Sequence, residues 1–269
     1  MELWSPDQAW ARIEALARAE PGGVVATDGD GTLWTGDVGE DLFHAFLREG
    51  RVEPLADEAI RREARSHALS DAGSGREVAQ RLYDGYGDGR FPEERLCELM
   101  AWCFAGWTEG DLRAFARGVV DRGELPGRVQ EEVRFVLDRA RAAAIDVVLV
   151  SASPMAVVVE AACRLGFSPE GVVAALPQIE GGRISPAVQR PIPYGPGKVS
   201  RLRERVGPER VLYAAFGDNI FDVALLAGAR LPFAVRPKAR LRARANDVPH
   251  LVELAPAPDT LRAGSIPAA

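Results

Sequence analysis

A short apolar run, Val24-Val25-Ala26-Thr27, leads directly into Asp28-Gly29-Asp30-Gly31-Thr32. The run has the length and composition of a buried strand, and the glycines end it abruptly. Side chains alternate faces along a strand, but a loop beyond its end can turn two aspartates into one pocket. Two carboxylates that close repel unless a cation lies between them or one holds a proton. At a strand end, that arrangement suits a metal, a substrate anion or acid/base work. The same residues also favour an ordinary acidic turn for local reasons, so the stretch alone leaves both readings open.

The rest of the chain supplies the frame. Its 269 residues can bury a full core and a second small domain. A formal net charge of -6 gives no support to binding of nucleic acid or anionic membranes, and neither is expected as a partner. No stretch approaches the ~20 apolar residues of a membrane-spanning helix. Cys97, Cys103 and Cys163 form no CxxC pair, and the first residues lack the pattern of a secretory leader. A cytoplasmic protein with reduced thiols is therefore expected. Lysine occurs only at positions 198 and 238, every other basic side chain being Arg or His.

Ser5-Pro6-Asp7 reads as a helix start, with the helix running to about residue 19. Helical periodicity then dominates 39–48, 55–69, 76–83, 92–105 and 109–120, separated by glycine-rich breaks and without strand-like alternation. After Pro126-Gly127, strands are expected at 145–150, 172–175, 211–216 and 232–235, alternating with helices, and a hairpin at 179–184. Such alternation predicts an α/β fold: a Rossmann-like parallel sheet flanked by helices. Residues 1–37 and 126–269 would form this core, and 38–125 an inserted helical cap domain. Ligands bind outside the carboxyl ends of such strands, where Asp28, Asp30, Ser151, Asp218 and Asp222 fall. The Pro- and Ala-rich tail after residue 255 is expected to be mobile.

DGDGT at 28–32, Ser151 at a strand end, Lys198 and GDNIFD at 217–222 resemble, in order, the four motifs of the haloacid dehalogenase (HAD) superfamily. The helical insertion resembles the C1-type cap of its phosphoserine-phosphatase-like branch. The resemblance implies a phosphatase for a small phosphorylated metabolite, phosphoserine-like or phosphocholine-like. Asp28 would be the nucleophile that forms an aspartyl phosphate, and Asp30 the acid/base residue. Ser151, Lys198 and the backbone N–H groups of Ala152 and Ser153 would bind the phosphoryl group. Mg²⁺ is the implied cofactor, held by Asp28, the Asp30 carbonyl and Asp218, with Asp222 placed to hold a metal-bound water. Asp37, nine residues after Asp28, matches an acidic substrate-binding position, with Glu40 a nearby alternative.

Other residues have local explanations. Ser153, directly before Pro154, reads as a helix cap, and Lys238 as a surface residue. Trp102, Phe104 and Trp107 could box a quaternary ammonium, although their spacing suits packing inside the insertion better. Arg76 and Arg81 sit where the insertion could offer a guanidinium to a substrate carboxylate, although solvated helix arginines suit them better, and His44, His67 and His250 form no cluster. Phosphoserine phosphatases follow the motif serine with glycines, whereas Ala152, Ser153 and Pro154 stand here, and Ile220 and Phe221 replace small or polar residues. Those departures point away from phosphoserine itself. Phosphotransfer to an acceptor other than water, or a phosphate-accepting sensor without turnover, are the alternative functions.

Overall fold

The computed structural model of the chain describes residues 1–257. The chain opens with β1 (Leu3–Trp4) and α1 (Pro6–Ala19), whose Ser5 and Gln8 form a reciprocal capping box. β2 (Val24–Thr27) follows, buried along its whole length. Five helices then run consecutively: α2 (Val38–Glu49), α3 (Pro54–Ser66), α4 (Gly75–Gly87), α5 (Glu93–Trp102) and α6 (Glu109–Arg122). The α/β alternation resumes with α7 (Glu131–Ala142), β3 (Asp146–Pro154), α8 (Met155–Cys163) and β4 (Val172–Ala175). A hairpin, β5 (Pro177–Glu180) and β6 (Arg183–Val188), precedes α9 (Pro196–Val206) and β7 (Leu212–Gly217). α10 (Val223–Ala227), β8 (Leu231–Val235), α11 (Ala239–Arg242) and β9 (Val252–Leu254) complete the described chain.

Seven strands form one parallel sheet in the order β1-β9-β8-β7-β2-β3-β4. β2 lies between β3 and β7, so the loops leaving those three strands emerge side by side. Alternation along β2 divides the core: Val25 joins the apolar cluster shared with the five-helix insertion, while Val24 and Ala26 face Leu202, Leu225 and Leu226. The insertion's apolar interior is thus continuous with one face of the sheet. Its two ends pair: the Gln130 N–H donates to the Leu33 carbonyl at 2.9 Å, and the Thr35 N–H to the Arg128 carbonyl at 2.8 Å.

Two departures from expectation concern what strand periodicity cannot reveal. β1, the two-residue edge strand, pairs with the three-residue β9 through Leu3 with Glu253 and Trp4 with Leu254, and β9 pairs in turn with β8. The hairpin, expected within the core, hydrogen-bonds to the insertion: Gly106 N–H donates to the Ile184 carbonyl, and Ile184 N–H to the Trp107 carbonyl. The tail expected to be mobile lies, beyond Ala257, outside the described residues. Ala257 itself is buried, its N–H donating to Glu132 Oε2 at 3.2 Å. No helix among the described residues is long and apolar enough to cross a membrane.

Candidate active site

Asp28 is the first residue beyond β2, anchored by its N–H to the Phe216 carbonyl of β7 at 2.9 Å. Lys198, in the first turn of α9, reaches it from below: Nζ lies 2.6 Å from Asp28 Oδ1 and 2.5 Å from Asp222 Oδ1. All three side chains are buried. Asp222 sits in a 3₁₀ turn, and its Oδ2 accepts the N–H groups of Asp218 at 3.1 Å and Asn219 at 2.9 Å. Its carboxylate therefore ties the loop after β7 to the lysine. Glycine is required nearby: a Cβ on Gly31, which has φ +83°, would lie 2.3 Å from Asp218 Oδ2.

Burial pushes Asp28 well above the ordinary carboxylate range, Lys198 opposing while Asp222, Asp218 and Asp30 add to the rise. Burial works against the Lys198 ammonium, but Asp222 and Asp28 outweigh it and hold Lys198 above its ordinary value. Asp218 is likewise raised, by burial first and Asp222 second. Among the described residues, Asp28, Asp218 and Asp222 form one group whose oxygens lie within 4.8 Å of each other. Three carboxylates, those of Asp28, Asp218 and Asp222, share the ammonium groups of Lys198 and Lys238, so acids outnumber bases in this part of the cavity. An all-oxygen, acid-rich donor set of that size fits a hard divalent cation such as Mg²⁺.

Asp30 points the other way. Its Oδ1 accepts the Trp34 indole N–H at 2.8 Å and the Val38 N–H at 2.7 Å. Its Oδ2 accepts the Ser153 hydroxyl at 2.8 Å and the Ser151 hydroxyl at 3.3 Å. Ser153 is thus no helix cap: its hydroxyl serves Asp30, its N–H donates to Ser151 Oγ at 3.0 Å, and α8 starts without a side-chain cap. That N–H is occupied here, and Ser151, Ala152 and Ser153 all line the cavity. Lys238 is exposed, as expected of a surface residue, but it also has a partner in the site. Its Nζ forms an ion pair with Asp218 Oδ2 at 2.9 Å. Only the fold brings it there, through the Lys238 N–H bond to the Asp218 carbonyl at 2.8 Å.

These groups line a cavity of about 690 Å³. The insertion and its entry contribute Asp37, Glu40, Tyr86, Glu93, Cys97 and Met100, and the core rim adds Tyr194, Phe221 and Arg240. Residues 38–125 carry twelve arginines, and none lines the cavity. Arg81 instead donates to the Ser70 and Ala72 carbonyls, and Arg76 borders a separate surface depression. Trp102, Phe104 and Trp107 are buried away from the cavity, with Phe104 edge-on to Phe46 and Trp107. The aromatic rings that do face the ligand space, Tyr86, Tyr194 and Phe221, carry no spacing signal in sequence. None of the three histidines lines it.

A Rossmann-like sheet that gathers carboxylates and a buried lysine at three adjacent strand ends, roofed by an inserted helical unit, defines a class of α/β hydrolase. The chain belongs to the haloacid dehalogenase-like hydrolase family, whose pattern matches residues 25–227. No curated protein matches the chain in sequence. Among solved structures, it is similar to a protein of unknown function from Bordetella pertussis Tohama I, with a TM-score of 0.66 and 22% identity. That match covers 86% of this chain and 97% of the other. It is also similar to a substrate-bound phosphoserine phosphatase, with a TM-score of 0.52 and 13% identity over 87% of this chain and 93% of the other. At these identities, the likeness is one of fold.

Proposed function

We propose that this hydrolase is a Mg²⁺-dependent phosphatase that cleaves a small phosphomonoester through an aspartyl phosphate. The observation that carries the reading is the buried Asp28–Lys198–Asp222 array, with Asp218 beside it and the Asp30 carboxyl two residues from Asp28. An Asp28 oxygen would bond to phosphorus as the bond to the leaving oxygen breaks, and the Asp30 carboxyl would give that oxygen a proton. Asp30 would then take a proton from the water that attacks the aspartyl phosphate, releasing phosphate and restoring Asp28. Lys198 holds the nucleophile in place and offers positive charge to the transferring group. Asp28, Asp218 and Asp222, with the Asp30 carbonyl, would hold Mg²⁺, which when bound offsets the charge of carboxylates and phosphoryl oxygens together.

The roof bears on the substrate. A phosphomonoester dianion approaches a wall that presents Asp37, Glu40 and Glu93 and no insertion arginine. Arg240 approaches Glu93 at 3.7 Å, and Lys238 is taken by Asp218, which leaves Asp37 and Glu40 without a cationic partner among the described residues. A cationic nitrogen on the leaving group, set among these acids and the rings of Tyr86 and Tyr194, would supply the missing charge. A carboxylate there would be repelled.

The test uses purified protein and p-nitrophenyl phosphate. Hydrolysis with Mg²⁺, loss with EDTA, and a fall of at least about 10³-fold for Asp28→Asn are expected, as for removal of a nucleophile. Full activity of that variant would refute the nucleophile assignment, and stable phosphorylation without turnover would favour a phosphate-accepting module. In a panel, ethanolamine phosphate and choline phosphate should exceed glycerol 3-phosphate and phosphoserine in kcat/KM. The reverse order would overturn the charge argument while leaving the chemistry intact.

A further inference from the structure

Trp34 is wholly buried, yet its indole N–H is spent on a carboxylate rather than on the core. The loop from Asp28 folds back so that residue 34 returns beneath residue 30. Gly31 N–H donates to the Trp34 carbonyl at 2.8 Å, and a Cβ on Gly29 would lie 2.8 Å from the Trp34 ring. The backbone of Trp34 also bridges Val129, where entry to the insertion pairs with its exit. The Trp34 backbone is therefore tied to Gly31 and Val129 with its ring against Gly29, and its N–H bonds Asp30 Oδ1. An aspartate has only two side-chain torsions, so donors at Oδ1 and at Oδ2 define where its carboxyl group lies.

We infer that Trp34 is a positioning residue for proton transfer: its indole N–H aims the Asp30 carboxyl at the leaving-group oxygen, and its place at the hinge links that aim to the insertion. The inference rests on the phosphatase reading above. Val38, whose N–H shares Oδ1, is the first residue of α2, so the acid takes donors from the core and from the insertion together. Loss of the indole N–H leaves Oδ1 held by the Val38 N–H and so loosens the aim of the carboxyl, while leaving Asp28, Lys198 and Asp218 untouched. The defect should then appear where the leaving oxygen most needs a proton.

A series of aryl phosphates from p-nitrophenyl to p-methoxyphenyl measures this, because nitrophenolate departs readily without an acid and methoxyphenolate does not. With kcat/KM as the readout, Trp34→Phe should lose about tenfold more on the methoxyphenyl than on the nitrophenyl ester, a part of the 10²–10⁴ that a general acid contributes. Asp30→Asn sets the upper limit of that selective loss. An equal loss across the series would show that Trp34 only packs, and would overturn the inference. Should Trp34→Phe fold poorly, benzothienylalanine at position 34 keeps the ring's shape and removes only the N–H. The same selective loss is expected, and wild-type behaviour of that isostere would also overturn it. If wild-type protein hydrolyses none of the series, the phosphatase reading itself falls, an outcome distinct from a flat response in an active enzyme.

Discussion

Asp37 couples stability to the ligand space at the scale of one side chain. It is the N-cap of α2, accepting the Glu40 N–H at 2.8 Å, and it lines the cavity beside Asp30. Burial first and the Asp30 charge second push its pKa well above the ordinary carboxylate range, against the bonds from Glu40 and Gly39 N–H. The sign follows from linkage. The folded state keeps its proton at pH values where the unfolded state has lost it, so stability falls as pH rises from the ordinary carboxylate value through the raised one. Asn caps a helix as well as Asp and carries no charge. In EDTA at pH 7.5, Asp37→Asn should raise Tm by roughly 2–4 °C, the response of a chain this size to about 1 kcal/mol. It should also flatten the loss of Tm with rising pH that the linkage predicts for the wild type between pH 5 and 7.5. A thermal melt series checks both, and a lowered Tm at pH 7.5 would count against the buried-charge account. The cavity would lose an acid in the exchange, so a gain in stability should accompany weaker turnover of an aminoalkyl phosphate.

The turn after β2 shows at the scale of an element what the sequence makes legible. Gly31 must adopt φ +83° and leave room for Asp218, which arrives from β7. Gly31→Ala meets two separate costs: about 1 kcal/mol for the left-handed backbone and displacement of the Asp218 carboxylate. Calorimetry should find Mg²⁺ binding weakened at least about tenfold, roughly 1.4 kcal/mol, and unchanged affinity would mean that Asp218 does not serve the ion. The apolar runs of β2, β3 and β7 were readable because buried parallel strands have no polar alternation. Ser151 lies inside β3, which runs on to Pro154 beyond the expected end at residue 150. Asp28 and Asp218 were readable because each directly follows a buried strand, and Lys198 because it lies in the first turn of a helix. β1 and β9 were not, since two or three residues carry no period and their pairing joins opposite ends of the described chain. Ser153, Trp34 and Lys238 escaped for a related reason. Each has an ordinary local explanation, and only the meeting of separate loops gives its polar group a partner in the site.

For the whole molecule, the placement of the apolar core decides how the insertion can behave. Val25 of the sheet, Phe46 and Trp102 of the insertion and Ile184 of the hairpin belong to one contiguous buried cluster. α6 and α2 both pack on α8, a helix of the core. A roof that shares its interior with the sheet cannot detach without exposing apolar surface, at about 25 cal/mol for each Å² uncovered. Closure over a substrate is then expected from small shifts about the hydrogen-bonded segments at 33–35 and 128–130, not from swinging of an independent domain. The same continuity predicts cooperative unfolding. The tryptophans report from both parts: Trp4 and Trp10 from the core, Trp102 and Trp107 from the insertion. In urea, their fluorescence and the far-ultraviolet circular dichroism should change with one midpoint, and Mg²⁺ should move both together. Two midpoints, with the emission of Trp102 and Trp107 changing first in single-tryptophan variants, would instead make residues 38–125 a unit that opens alone. The hairpin offers an internal control, because its Ile184 bonds to Gly106 and Trp107 would have to break in that first step.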